Sequence, residues 1–411
     1  MNFNVNTDVA LTHLLTRKKQ TLIASMGVTV GIGIFIFMIS LVVGFNNDSD
    51  KSIFKSVPHL RIYQEDEICK PLLKSNDSIL LPVIVNPKIS NLSNNLINPE
   101  KIISDLKKQP EVVNVTQQVF ANVFYNNGKS QINGITSGVN ISEADAMFDL
   151  ESTMLAGKTR DLLTTPNGII IGIGIANDLN IRINDHISII SSIGVVKVMK
   201  VVGIFKTSNS SVDDTKSYIN IPIARQLLKQ SSSYVTDIYV NITDPNKAPL
   251  YSSKFSALTG YKAEDWQSAN ESTMAKKQTR KVMFGSISFA ILLVAAFGIY
   301  NIINMTIKEK MNDIAILKAT GFSGKDVLNI FIKETLIIGI IGTVTGLALA
   351  TLFIYLLSGV YVGGDVGYFP IDYEKSVYIS GAIIGMFITL AAGFIPARTA
   401  AKVDPVDIFK K

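Results

Sequence analysis

Residues 306–334, TIKEKMNDIAILKATGFSGKDVLNIFIKE, decide the fold of this chain. The stretch is amphipathic and net basic, and it lies between two uncharged apolar runs, 282–305 before it and 335–359 after it. At ~1.5 Å per residue, each run is long enough to cross a ~30 Å hydrocarbon core. A segment tethered at both ends to membrane helices can receive a push from a soluble partner and pass it on. Two further uncharged runs, 22–44 and 377–397, complete a set of four spans.

The composition agrees with a part-membrane chain. Of the 411 residues 47% are hydrophobic and only 18% are charged, values unusual for a soluble protein and ordinary for one that is part membrane. The first run follows Arg17, Lys18 and Lys19, as a signal peptide would, but it is too long for a signal h-region and no small-residue cleavage site follows it. It reads as an uncleaved anchor.

Lys and Arg near the span ends set the orientation. Lys18 and Lys19 precede the first span, while Lys308, Lys310, Lys318, Lys325 and Lys333 lie in the 306–334 loop. Arg398, Lys402, Lys410 and Lys411 follow the fourth span. Four crossings put all three groups on one side, which is expected to be cytoplasmic. Lys276, Lys277, Arg280 and Lys281 lie on the other side, where long translocated domains obey the rule weakly.

The organisation expected is an amphipathic N-terminus over 1–21, spans at 22–44, 282–305, 335–359 and 377–397, and an extracytoplasmic domain over 45–281. A coupling loop covers 306–334, a short periplasmic loop 360–376 and a cytoplasmic tail 398–411. The inserted domain reads as mixed α and β. Asn98-Pro99-Glu100 opens a helix with Ile102, Ile103 and Leu106 as its apolar stripe. VVNVTQQVFANVFY, HISIIS, VVKVMKVVGIF, SYINIPI and TDIYVNI are strand-like, and Asp244-Pro245-Asn246 opens a second helix running to about Leu258. Two strand–helix–strand units flanking a β-rich middle predict a small α/β subdomain with an insertion. Cys69 is the one cysteine and reads as an incidental thiol.

Several fragments imitate chemistry. Gly157-Lys158-Thr159 resembles the end of a phosphate loop, but Ser152 stands where its first glycine belongs. Gly172-Ile173-Gly174 has Asn177 in place of the third glycine of a dinucleotide fingerprint. His13, His59 and His186 have no paired ligand spacing, so no metal site is expected. No catalytic motif and no bound cofactor are expected, and nothing points to nucleic acid. No ionisable residue lies inside a span, which argues against ion-coupled transport.

Small residues at four-residue spacing let membrane helices approach closely, so Gly27 with Gly31 and Gly342 with Gly346 are candidate packing seams, within the chain or between two copies. In the loop, Ile307, Met311, Ile314 and Leu317 form the apolar side of a helix continuing from the second span. Thr320-Gly321 supplies its stop, and Ser323 with Asp326 caps the next helix.

KEKMNDIAILKATGFSGKDVLNIFIKETLIIGIIGTVTGLALA resembles the signature of FtsX-like permeases, in particular the MacB and LolC/LolE group of ABC transporters. PARTAAKVDPVDIFKK is similar to the terminal motif of that group. VVGIFKTSNSSVDDTKSYINIPIARQLL is similar to its periplasmic domain, and EDWQSAN to its lipoprotein-releasing members. The resemblance implies a mechanotransmission permease of the inner membrane, present as two copies or two paralogues. A separate cytoplasmic ATPase would bind ATP and Mg.

By the same resemblance Glu309, Asp313, Leu317, Lys318, Thr320, Gly321 and Phe322 carry ATPase coupling. The substrate is a lipoprotein passed to a carrier or, in the MacB branch, peptides or small molecules expelled through an adaptor. A non-transporting regulator of cell-wall hydrolases is a further alternative. In the lipoprotein branch, bulky Ile36, Met38, Ile39, Val42 and Phe45 in the outer half of the first span would line an acyl groove, although the same residues also suit bare lipid.

Overall fold

The computed structural model describes residues 5–16, 18–65, 94–207, 209–363 and 367–404. Cys69, Arg17, Lys410, Lys411 and the last part of the terminal motif lie outside them. The chain divides into two compact units. One is built from Met1–Asp48 and Ala275–Lys411, the other from Ser49–Met274.

Four helices are long and apolar enough to cross a membrane: Lys18–Phe54, Glu271–Glu309, Gly324–Ser358 and Lys375–Ala401. Each extends beyond the uncharged run that predicts it. In the first unit the first-span helix is central. Its Val28, Ile32 and Ile36 are all but fully buried and join a core with Ile299 and Ile303 of the second helix and Ile338 and Ala350 of the third.

The second unit contains one ten-stranded sheet, so the expected α/β subdomain and its β-rich insertion share a single continuous sheet. Its strands are β1 (Leu60–Tyr63), β2 (Val112–Asn127), β3 (Ser130–Val139), β4 (Met154–Gly157), β5 (Gly168–Gly172), β6 (His186–Ser191), β7 (Val196–Phe205), β8 (Lys216–Asn220), β9 (Asp237–Ile242) and β10 (Lys262–Asp265). They run in the order β10-β1-β9-β2-β3-β8-β5-β7-β4, with β6 paired to both β2 and β7. The 16-residue length of β2 makes the sheet continuous. Its first half pairs with β9, its second half with β6, and β3 lies along its other edge.

Period-two alternation sends Val119, Ala121, Val123 and Tyr125 of β2 into one core, and Val115 joins a second core with Ile238, Val240 and Phe255. Helices Pro99–Lys107 and Ala248–Thr259 form where the sequence predicts them. Asp244 accepts a hydrogen bond from the Asn246 N–H as a cap. Asn98 does not cap with its side chain. It adopts the left-handed conformation, φ 52°, and the Pro99 that follows, with its fixed φ and missing N–H, starts the helix.

Candidate functional site

The second-span helix ends at Glu309, and a separate helix, Met311–Ala319, follows it. The expected continuous helix is therefore broken at Lys310, whose φ −101° and ψ 14° leave the helical region while its side chain stays 6% exposed. The apolar stripe survives the break. Ile307 and Ile314 are buried, and Met311 and Leu317 are half-buried.

The turn is built as its residues dictate. Thr320 ends the short helix and donates from Oγ1 to the Leu317 carbonyl. Gly321 takes φ 107°, a conformation that disfavours any residue with a Cβ. The Phe322 N–H then returns to the Leu317 carbonyl at 3.1 Å. Ser323 and Asp326 form a reciprocal capping box at the start of the third-span helix.

The residues singled out from the sequence fall into three groups. Asp313, Thr320 and Gly321 are exposed, Leu317 and Phe322 are half-buried, and Glu309 and Lys318 are engaged within the chain. Gln20 Nε2 donates to Glu309 Oε2 at 3.4 Å. Lys318 Nζ donates to the carbonyls of Ala401 and Val403, at 2.9 and 2.6 Å. Lys318 thus satisfies the orphan carbonyl of Ala401 at the C-terminus of the fourth helix and the Val403 carbonyl just beyond it, where a cation is also favoured by the helix dipole. It holds the short helix to the fourth span. Gly324 reinforces this seam, since a Cβ there would lie 2.7 Å from the Ala401 carbonyl.

The outward face consists of Asn312, Asp313, Ile316, Ala319 and Thr320. Ile316 is 52% exposed among polar neighbours, and the sequence reading passed over it. Its place between the buried Ile314 and the half-buried Leu317, off the apolar stripe, was the available signal.

Glycine packing follows the sequence reading at three of four positions. A Cβ on Gly31 would meet Ala295 of the second helix at 2.9 Å, and Gly342 and Gly346 receive Val28 and Ile32 of the first helix. Gly27 has nothing within 4 Å and packs against no other described residue of this chain. A second glycine pair, unnoticed in the sequence, lies on the fourth helix, where Gly381 seats Ile36 and Gly385 seats Ile32.

That seating corrects the groove assignment. Ile36 is fully buried against Gly381 and Val42 is 5% exposed, so neither faces an open cavity. Phe45 stacks edge-on against Phe369 at 5.8 Å and lies under the Arg280 guanidinium. Met38 and Ile39 are half-buried and carry what remains of that surface.

In the sheet unit, Arg61 Nε donates to Asp237 Oδ1 at 2.5 Å, with side-chain exposures of 41% and 2%. Burial raises the Asp237 carboxyl above its ordinary range, and Arg61 pulls it back. Lys216 of β8 is pulled down to about 8 by burial, with its ammonium 5.0 Å from the centre of the Tyr218 ring. Among the described residues no cluster of His, Cys, Asp and Glu could hold a metal ion.

Comparison with known proteins bears on both units. The MacB-like periplasmic core domain profile matches residues 21–258, more than half of the chain, and the FtsX-like permease C-terminal profile matches 285–405. A lipoprotein-releasing system transmembrane protein LolC of Neisseria meningitidis is 25% identical, covering 99% of this chain and 99% of its own. LolC of Buchnera aphidicola is 25% identical over 96% of this chain and 94% of its own. A macrolide export ATP-binding/permease protein MacB of Psychrobacter cryohalolentis is 22% identical over 98% of this chain, which spans only 59% of that protein. The chain belongs to the MacB-like periplasmic core domain family and is an ABC-transporter permease with an FtsX-like C-terminal part.

Proposed function

We propose that this permease relays ATP hydrolysis by a separate cytoplasmic ATPase to its periplasmic domain, and that the work releases lipoproteins from the inner membrane. The observation that carries the substrate class is the end-to-end match to the Neisseria lipoprotein-releasing relative, 99% of both chains. The loop geometry supports the relay. A short helix with an exposed Asp313–Ile316–Thr320 face is joined through Gly321 to the third span and through Lys318 to the fourth.

ATP and Mg belong to the ATPase, and the loop side, with both termini, is the cytoplasmic one by its basic residues. A second copy or a paralogue completes the membrane part, a periplasmic carrier receives the product, and Met38 and Ile39 are the first-span positions open to acyl chains. MacB-like efflux of peptides or small molecules is the second reading, favoured by the MacB match over 98% of the chain.

The test is reconstitution with the ATPase that co-purifies from native membranes. Lipoprotein release per ATP hydrolysed is measured for the wild type and for Gly321→Val. A β-branched residue at φ 107° costs roughly 1–3 kcal/mol in the turn. No atom lies within 4 Å of its Cβ, so assembly should survive while coupling falls. Full release by Gly321→Val would refute the relay. ATP-driven movement of a peptide or drug, with no lipoprotein released, would favour the second reading.

A further inference from the structure

The third-span helix carries a carboxylate that the sequence reading placed just outside the membrane run. Glu334 is 4% exposed, and its Oε2 accepts no hydrogen bond. His13 of the N-terminal helix Val5–Thr16 approaches it, with Nδ1 3.9 Å from Oε2 and itself without a hydrogen-bond partner. The same two helices meet elsewhere. Lys333 Nζ donates to Thr7 Oγ1 at 2.7 Å, the His13 and Phe331 rings are 6.4 Å apart, and Ala10 and Leu14 of the N-terminal helix are buried.

The N-terminal helix is in turn bound to the start of the first span, where Thr21 Oγ1 donates to the Leu14 carbonyl at 3.2 Å. Beside Glu334 is a cavity of about 10 Å³, bordered by Gln20 and Thr21 of the first-span helix and Thr306 of the second, room for about one water. The carboxylate therefore lies where the N-terminal helix and the first three spans converge. A buried polar atom without a hydrogen-bond partner is costly, so a carboxyl kept here implies a task beyond filling space.

We infer that Glu334, through His13, is a positioning residue that ties the N-terminal helix to the third span, so that a push on the loop moves that helix with the first and third spans. The inference rests on the relay reading above. The glycine seams already hold the first and third spans together, and this tie adds the N-terminal helix to the same body. Cutting it frees the N-terminal helix from the third span.

The experiment uses the full chain in lipid nanodiscs with its ATPase, a spin label at the exposed Leu11, and the variants Glu334→Gln, His13→Ala and the exchange His13→Glu/Glu334→His. The single variants are expected to mobilise the label and to lower transport per ATP at least fivefold, with ATPase binding unchanged. The exchange should restore both readouts, which a merely space-filling role would not do. A label as immobile in Glu334→Gln and His13→Ala as in the wild type, with coupling intact, overturns the inference. A wild-type chain that engages no ATPase overturns the relay reading and the functional half of the inference, while label mobility still decides whether the tie exists. Loss of melting stability in Glu334→Gln shifts the decision to His13→Ala, which alters only the peripheral helix.

Discussion

Replacing Lys318 by methionine removes the ammonium that joins the loop to the fourth span while keeping an unbranched side chain of similar length. Two charge-assisted bonds are lost, at 2.9 and 2.6 Å, both to carbonyls at or just beyond a helix C-terminus. The side chain is half-buried and the freed carbonyls can reach water, so the loss is set at about 1.5 kcal/mol, the low end for bonds to charged groups. The favourable position of a cation at the helix end adds about 0.5 kcal/mol. A total of about 2 kcal/mol shifts the docked-to-undocked ratio of the short helix roughly thirtyfold.

Ile314 and Ala315 stay buried, so the helix should loosen and not unfold. Spin labels at positions 319 and 398, in a Cys69→Ser background, read the separation directly. The wild type should give one narrow distance distribution, Lys318→Met a broad one, and Lys318→Arg one close to the wild type. A Lys318→Met distribution as narrow as the wild type would show that Lys318 does not hold the seam, whatever happens to transport.

Two further outcomes are expected. Gly385→Val forces a side chain into Ile32 and should destabilise the bundle by about 1–3 kcal/mol, read as a lower melting temperature in detergent, whereas Gly27→Val, with open space around it, should melt like the wild type. Arg61→Met should cost about 3 kcal/mol because it strands the buried Asp237, more than Asp237→Asn, which leaves a 41% exposed guanidinium in contact with water. The Arg61→Met deficit should shrink as the pH falls from neutral. Burial already raises the Asp237 carboxyl, loss of Arg61 raises it further, and a folded-state acid with a raised pKa takes up a proton on folding, so its stability increases toward acid. Equal deficits at neutral and acid pH in denaturant titrations would contradict this.

The parts of the fold legible in the sequence are those set by local rules. Charge-free length marks the four spans, because hydrocarbon excludes charge over a fixed thickness. The Gly321 turn and the Ser323–Asp326 box follow from backbone conformation and capping alone. The single sheet was not legible, because whether β2 is one strand or two depends on β9 and β6, which come more than a hundred and more than sixty residues later. The bonds of Lys318 are not legible in the sequence for a related reason. In sequence it is one more basic residue of a basic loop, and its true partners are carbonyls more than eighty residues away. The burial of Ile36 is not legible because a bulky apolar residue looks the same against lipid or an acyl groove as against a glycine notch.

The glycine notches explain why a push at the loop would not be lost in the bilayer. Three helices approach the first span through small residues, and Ile32 alone is gripped by Gly346 of the third span and Gly385 of the fourth. Close-packed seams of this kind slide poorly, because a shift of one helix drives a side chain out of its notch into backbone. Thr29 and Thr345, joined by a 2.6 Å hydrogen bond, add a polar pin at the same level. The third and fourth spans are also bound to the loop, through the Gly321 turn and through Lys318. Motion delivered to the loop is therefore confined to concerted displacement of the first, third and fourth helices. The second helix meets the first at Gly31 and Ala295 and leaves Phe289, Val294 and Phe297 exposed on its other side.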